Sequence, residues 1–123
     1  MAGLESATIG TCTVYHLPGR DWYYLLGPQS CSAKNLAFGF AEFPGGTLAA
    51  PHTHRAEEEI IYILSGRGAV ISSEKEVRLE PGVAVFIPPG LEHQMRADGD
   101  APLRLVTLFS PPVTPGAYDP SKA

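Results

Sequence analysis

Short runs of β-branched and aromatic residues alternate with glycine- and proline-containing turns along the whole chain. Clear runs occupy residues 22–26, 35–43, 59–64, 83–87 and 103–109. Neither a sustained helical period nor an internal repeat is present in the sequence. We therefore expect about eight to ten short strands, which at this close spacing predict a β-sandwich or β-barrel.

The run at residues 35–43 alternates bulky with small side chains. Leu36, Phe38 and Phe40 share one face of the predicted strand, and small residues occupy the other. Since side chains two apart on a strand point the same way, we interpret the bulky face as the lining of the packed interior.

The run at residues 59–64 is apolar on both faces. Ile60, Tyr62 and Leu64 would point away from the interior, and a strand that is apolar on both sides is usually buried on both. A second subunit could cover this outer face, so the pattern predicts a homodimer. The chain's own N-terminal or C-terminal segment is the alternative. Residues 83–87 are likewise predicted to be buried on both faces.

Composition and charge narrow the class of protein. With 123 residues, 44% hydrophobic and 18% charged, residues 1–123 are expected to form one globular domain. The net charge of -4 argues against a nucleic-acid partner. No apolar run approaches the length of a membrane span, and no secretion signal is evident. We therefore expect a cytoplasmic protein. In that compartment Cys12 and Cys31 should be reduced thiols. The proline-rich tail at 111–123 should be extended.

Three histidines and a glutamate form the candidate chemistry. His52 and His54 are two residues apart and would share a face of a strand, and Glu59 follows beyond a polar turn. His93 follows a strand and a Pro/Gly turn and could reach the same point from another strand. Imidazoles and a carboxylate that converge in this way are typical of a divalent transition-metal site.

These residues resemble the two motifs of the cupin family. Residues 46–66 match the first motif and residues 82–97 the second, through Gly46, His52, His54, Glu59 and Gly66, and then Gly82, Pro88, Gly90 and His93. Ala97 stands where the second motif has asparagine; that residue is not a ligand in the family, so only the hydrogen bonding of this turn is in doubt. The resemblance implies a double-stranded β-helix (jelly-roll) barrel with metal ligands His52, His54, Glu59 and His93. A chance grouping and a barrel that has lost its metal are the alternatives.

The glutamate ligand depends on the strand register. A turn one residue longer would make Glu58 the ligand, but the six-residue spacing to Gly66 selects Glu59. Four ligands on an octahedral ion would leave two positions open, and iron, manganese, nickel, cobalt and zinc all suit the donor set. Binding is expected to fail as the imidazoles protonate near pH 6.

The resemblance leaves the reaction open. The expected function is an enzyme acting on a small metal-chelating substrate, either a dioxygenase or a Lewis-acid isomerase, decarboxylase or lyase; a non-catalytic binding or sensor module is the alternative. The expected pocket wall is apolar and consists of Phe38, Phe40, Ile61, Met95 and Phe109. The alternative for Phe38 and Phe40 is that they are ordinary core residues, and this alternative is favoured. Few ionisable groups besides the ligands are expected inside, which disfavours sugar phosphates. Possible mouth residues are Gln94, Arg104 and Tyr118.

Overall fold

Nine strands in two antiparallel sheets make up the computed structural model, which describes residues 3–114. None of these residues is helical. The larger sheet has the order β1-β2-β3-β9-β4-β7, and the smaller has the order β6-β5-β8. In chain order the strands are β1 (Thr13–Leu17), β2 (Arg20–Leu26), β3 (Ala37–Phe43), β4 (Glu58–Ser65), β5 (Arg67–Ile71), β6 (Glu76–Leu79), β7 (Ala84–Ile87), β8 (Gln94–Asp98) and β9 (Leu103–Ser110). The predicted all-β jelly-roll barrel is confirmed.

The segment that carries the first two histidines extends the smaller sheet alongside β8. It pairs through two isolated bridges, one between Leu48 and Arg96 and one between His52 and His93. Ala97, at the position of the expected asparagine, lies within β8 and not in a turn. Its backbone accepts a hydrogen bond from Gly46 and donates one to Thr47, so backbone groups hold this junction at position 97.

The interior face of β3 is the opposite of the one expected. Phe38 and Phe40 lie on the outer side, where Phe40 contacts the ring of Tyr23. The interior beneath β3 is filled from the neighbouring strand by Trp22, which is 2% exposed. A Cβ atom at Gly39 would overlap the Trp22 indole, so this position of the inner face of β3 needs glycine.

The outer face of the larger sheet carries an uncovered apolar patch. Ile60, Tyr62 and Leu64 point outward as predicted and are 46%, 45% and 48% exposed. Phe86 on the neighbouring β7 is 52% exposed, so the prediction that residues 83–87 are buried on both faces is wrong for the single chain. The reason is that β7 is the edge strand of the same sheet and shares its outer face. We call these four residues the outer apolar patch.

The terminal regions and cysteines complete the description. Val113 packs into the core, and residues 111–114 form no regular element. The expectation of an extended tail otherwise falls on residues 115–123, which lie outside the described part of the chain. Cys12 and Cys31 are free cysteines, each partly buried. Within residues 3–114, no helix has the length and apolar character needed to cross a membrane.

Candidate metal centre

Backbone hydrogen bonds bring the two histidine-bearing segments together. The amide of His52 donates to the carbonyl oxygen of His93 at 2.9 Å, and the amide of His93 donates back to His52 at 3.0 Å. Directly opposed residues of an antiparallel pair point to the same face of the sheet, so both imidazoles enter the same space. The amide of Gly90, at a φ of 82°, donates to the carbonyl oxygen of His54 at 2.7 Å. The Pro-x-Gly turn of the second motif thus fixes the backbone of a histidine from the first.

Four donor side chains converge inside the barrel. One ring nitrogen from each of His52, His54 and His93 lies within 4.8 Å of the others. The Glu59 Oε1 atom is 3.2 Å from His54 Nε2 and 3.6 Å from His93 Nε2. Ligand atoms about 2.1 Å from an octahedral ion lie about 3 Å apart when adjacent and about 4.2 Å apart when opposite. The three histidines, with Glu59 beside two of them, therefore form a donor set that could hold a divalent transition metal.

The imidazole of His93 is oriented by a backbone carbonyl. Its Nδ1 atom lies 2.9 Å from the carbonyl oxygen of Leu91, and because that oxygen only accepts, Nδ1–H is the donor. The neutral ring then keeps the lone pair on Nε2, the atom that faces Glu59. A hydrogen bond of this kind on the far ring nitrogen is typical of metal-binding histidines because it fixes both the tautomer and the ring plane.

The interior keeps two imidazoles neutral. Burial, followed by the nearby His93 and the charge of Arg20, lowers the pKa of His52 to about 2. Burial also lowers the pKa of His93, although the negative charge of Glu59 partly opposes it. Neutral imidazoles are the form that binds metal, so proton competition at these two histidines should begin well below the pH of about 6 expected from ordinary histidines.

The lowered pKa of His52 predicts an acid-labile metal-free protein. Below about pH 6.5 the unfolded chain takes up a proton on this histidine that the folded chain does not. The free energy of unfolding should therefore fall as the pH falls, by up to about 1.4 kcal/mol per pH unit for His52 alone. Urea unfolding of metal-free protein between pH 7.5 and 5 measures this slope, and a His52→Asn variant should have a shallower one. An equal dependence of the free energy of unfolding on pH in the two proteins would contradict the assignment of this effect to His52.

The walls of the cavity match the sequence expectation in part. Ile61, Met95 and Phe109 line it, but Phe38 and Phe40 do not, because they lie on the outer face of β3. Trp22 and Thr107 take their place; the Trp22 Nε1–H group donates to the Thr107 hydroxyl at 3.1 Å. The cavity volume is about 30 Å³, which is room for about two water-sized groups.

Arg20 is a cavity residue that the sequence analysis missed. It lines the cavity together with the histidines, is only 8% exposed, and donates from Nη1 to the carbonyl oxygen of Pro18 at 2.9 Å. The expectation of few ionisable groups besides the candidate ligands holds, since Arg20 is the one that lines this cavity among the described residues. Arg20 lies two residues before Trp22, and both are on the buried face of β2. This spacing of two residues was the sequence signal that Arg20 would be buried. A charged residue directly after a Pro-Gly turn is usually exposed.

A wider groove reaches the same centre from outside. It has a volume of about 370 Å³ and shares Ile87 and His93 with the inner cavity. Most of its lining is apolar, and Lys75 and Ser72 of the β5–β6 turn complete it.

The predicted mouth residues lie elsewhere or contact other groups. Gln94 donates from its side chain to the carbonyl oxygen of Ala49 at 2.9 Å. Arg104 pairs with Glu42 at 2.6 Å across the β3–β9 ladder, away from the cavity lining. Tyr118 lies outside the described residues.

Comparison with known proteins identifies the family. The Cupin domain family model matches residues 39–109, which is more than half of the chain and includes the entire set of candidate ligands. The chain therefore belongs to the cupin family.

Relatives within this family differ in their described roles. The tetracenomycin polyketide synthase protein TcmJ of Streptomyces glaucescens is 31% identical over 96 residues, covering 78% of this chain and 64% of its own length. The oxalate-binding protein of Thermotoga maritima is 28% identical over 86 residues, covering 70% of this chain and 71% of its own. The structure of the polyketide cyclase RemF from Streptomyces resistomycificus is 20% identical, covers 88% of this chain and 80% of that chain, and has a TM-score of 0.73, which supports the shared fold.

Proposed function

We propose that this protein is a metal-dependent enzyme that holds a divalent transition metal through His52, His54, Glu59 and His93. Its substrate is a small organic molecule that chelates the metal at two open positions. The observation that supports this proposal is the grouping of three imidazole nitrogens within 4.8 Å of one another, with a Glu59 oxygen 3.2 Å and 3.6 Å from two of them. When bound, the metal supplies Lewis-acid chemistry or the activation of dioxygen, as in an isomerase, decarboxylase, lyase or dioxygenase.

The chain's own residues shape the reaction space around the ligands. Ile61, Met95 and Phe109 exclude water from the reacting groups, which strengthens electrostatic interactions inside the cavity. Thr107 offers a hydroxyl at the wall, positioned by the Trp22 indole N–H. The apolar groove that shares Ile87 and His93 with the cavity can accommodate a non-polar part of the substrate.

Elemental analysis of purified, untagged protein is the first test. Near-stoichiometric iron, manganese, nickel or cobalt that is lost in a His54→Ala variant would support an open catalytic centre. Iron would direct the next step to oxygen-uptake assays, and zinc to isomerisation and hydrolysis assays. Failure to bind any of these metals after reconstitution would refute the proposal.

A non-catalytic binding module is the second candidate. It is favoured by one observation, that a relative covering 70% of the chain is named an oxalate-binding protein. Oxalate binding at the metal without any change in the oxalate over many hours would favour this candidate. Product formation from any chelating substrate would favour the enzyme. The expected cytoplasmic location and single-domain organisation stay predictions.

We further propose that a second copy of the chain covers the outer apolar patch. The described N-terminal residues do not cover it, since Leu4 is fully exposed and Ile60 and Tyr62 remain about half exposed. Residues 115–123 contain one large apolar side chain, Tyr118, which is too little to cover four. A patch of this kind on a sheet is typical of an interface, and a two-fold axis would pair it with itself.

A further inference from the structure

We propose that the Thr107 hydroxyl donates a hydrogen bond to the molecule that occupies the inner cavity, so that this site selects ligands with an acceptor atom beyond the atom that binds the metal. The inference rests on the proposed function and adds a specificity-determining residue to it. It starts from the position of Thr107, which lies on the inner face of β9, is 5% exposed, and lines the cavity together with the candidate metal ligands.

The Trp22 indole fixes the Thr107 hydroxyl from two strands away. Trp22 belongs to β2, and β3 lies between β2 and β9. Gly39 of β3 pairs with Thr107, and a side chain at Gly39 would take the space of the Trp22 Nε1 atom. Because glycine has no side chain, the indole can cross β3 at this point and donate from Nε1 to the Thr107 hydroxyl at 3.1 Å. Edge-on contacts with the rings of Tyr24 and Phe109 hold the indole in this position.

The hydrogen of the Thr107 hydroxyl is left for a ligand. A threonine hydroxyl has one donor hydrogen and two acceptor lone pairs, and the indole N–H, which only donates, occupies a lone pair. Within residues 3–114 no acceptor takes the hydroxyl hydrogen, and the buried Glu59 Oε1 atom is not joined to it by a hydrogen bond. Buried polar groups are nearly always paired, so a donor left over in the wall of a cavity indicates an acceptor that enters the cavity.

The size of the cavity brings the hydroxyl and the metal-binding groups to the same ligand. Along the β4–β9 ladder, Ile61 pairs with Thr107 and Glu59 pairs with Phe109. Thr107 is therefore the diagonal neighbour of Glu59 on the inner face, a separation of about 7–8 Å between backbones. The cavity between them has room for about two water-sized groups. A ligand of two or three atoms that binds the metal at one end therefore reaches the Thr107 hydroxyl at the other.

Cobalt(II)-loaded protein allows a direct test, because its visible absorption spectrum changes when a ligand reaches the metal. The probes are azide and ammonia, which are both small. Bound azide keeps lone pairs on its far nitrogen, whereas ammonia gives its only lone pair to the metal and cannot accept a hydrogen bond. Thr107→Val, which keeps the shape and loses the hydroxyl, should bind azide about 10- to 100-fold more weakly and ammonia within about twofold of wild type. Thr107→Ser, which keeps the hydroxyl, should bind both probes within about threefold.

Two further variants control for folding and for the substitution itself. Thr13→Val, on an exposed position of β1, is the matched control and should change neither affinity. Thr107→Val also leaves the Trp22 N–H without its acceptor. If it does not fold, the double variant Trp22→Phe/Thr107→Val, which removes both partners, is compared with Trp22→Phe. The ratio of azide affinity to ammonia affinity should then be about 10-fold lower in the double variant.

The outcomes separate this inference from the proposed function. An equal change for both probes, or a change for neither, in folded Thr107→Val or in the double variant would overturn the role of Thr107 as a donor. A loss of azide affinity in Thr107→Ser as large as that in Thr107→Val would overturn it as well, since serine retains the hydroxyl. Cobalt uptake with azide binding that ignores position 107 refutes this inference alone, whereas wild-type protein that takes up no cobalt refutes the proposed function and this inference together.

Discussion

Replacement of Glu59 by alanine should lower metal affinity by more than about 100-fold, whereas Glu58→Ala should leave it unchanged. The Glu59 carboxylate is 6% exposed, and its Oε1 atom lies within 3.6 Å of two imidazole nitrogens, whereas Glu58 is exposed to solvent. Loss of groups that merely support a ligand costs about 10- to 100-fold, so loss of the ligand itself should cost more. Metal content after dialysis against a competing chelator measures the difference.

The stability of the metal-free variants provides the control for this result. A buried carboxylate is costly to desolvate, so Glu59→Ala without metal should melt at the same temperature as the metal-free parent or higher. A Glu59→Ala protein that melts much lower would indicate that the loss of metal follows from unfolding. Metal loss in Glu58→Ala with retention in Glu59→Ala would overturn the register of β4 on which the ligand set depends.

The position of the centre was predictable because it depends on local spacing. A separation of two residues places His52 and His54 on one face, and the position of Gly66 selects Glu59 over Glu58 as the candidate ligand. The structure adds the long-range contact that no spacing specifies. Reciprocal backbone hydrogen bonds join His52 to His93, and the turn at Gly90 binds the carbonyl of His54.

The walls of the cavity were less predictable, because an alternation of bulky and small residues along a strand does not show which face of the strand is inside. In β3 the bulky side chains of Phe38 and Phe40 suggested the interior, but the neighbouring strand already fills that space with Trp22. Small residues such as Gly39 then fit beneath the indole. The choice of face depends on the volume contributed by a different strand, which is a property of packing and not of the local pattern.

Arg20 could not be assigned for a related reason. A charged residue next to a turn is usually solvated, and its burial depends on the hairpin tip folding against the segment near Ala49. The exposure of Phe86 was unpredictable for the same reason, because it depends on the position of β7 at the edge of the sheet. Sequence order does not reveal which strand will be the edge.

The second large effect concerns the outer apolar patch: Tyr62→Arg should convert a dimer into a monomer. Tyr62 is 45% exposed and stands between Val106 of β9 and Ala84 of β7, near the middle of the patch. An arginine at this position would put an unpaired charge into an apolar interface, and the two-fold axis would bring its copy close by. The dissociation constant should rise by at least about 100-fold, because buried tyrosines are frequent hot spots and unpaired charges are costly there.

Analytical ultracentrifugation across a concentration series measures this change. Glu76→Arg is the matched control, since it introduces an arginine on the exposed face of the smaller sheet and should leave the dimer intact. Metal content should be equal in the two variants, because the patch and the ligands lie on opposite faces of β4, where Glu59 is buried and Ile60 is exposed. A wild-type protein that remains monomeric at about 100 μM would refute the dimer, since a standard interface binds far more tightly than that.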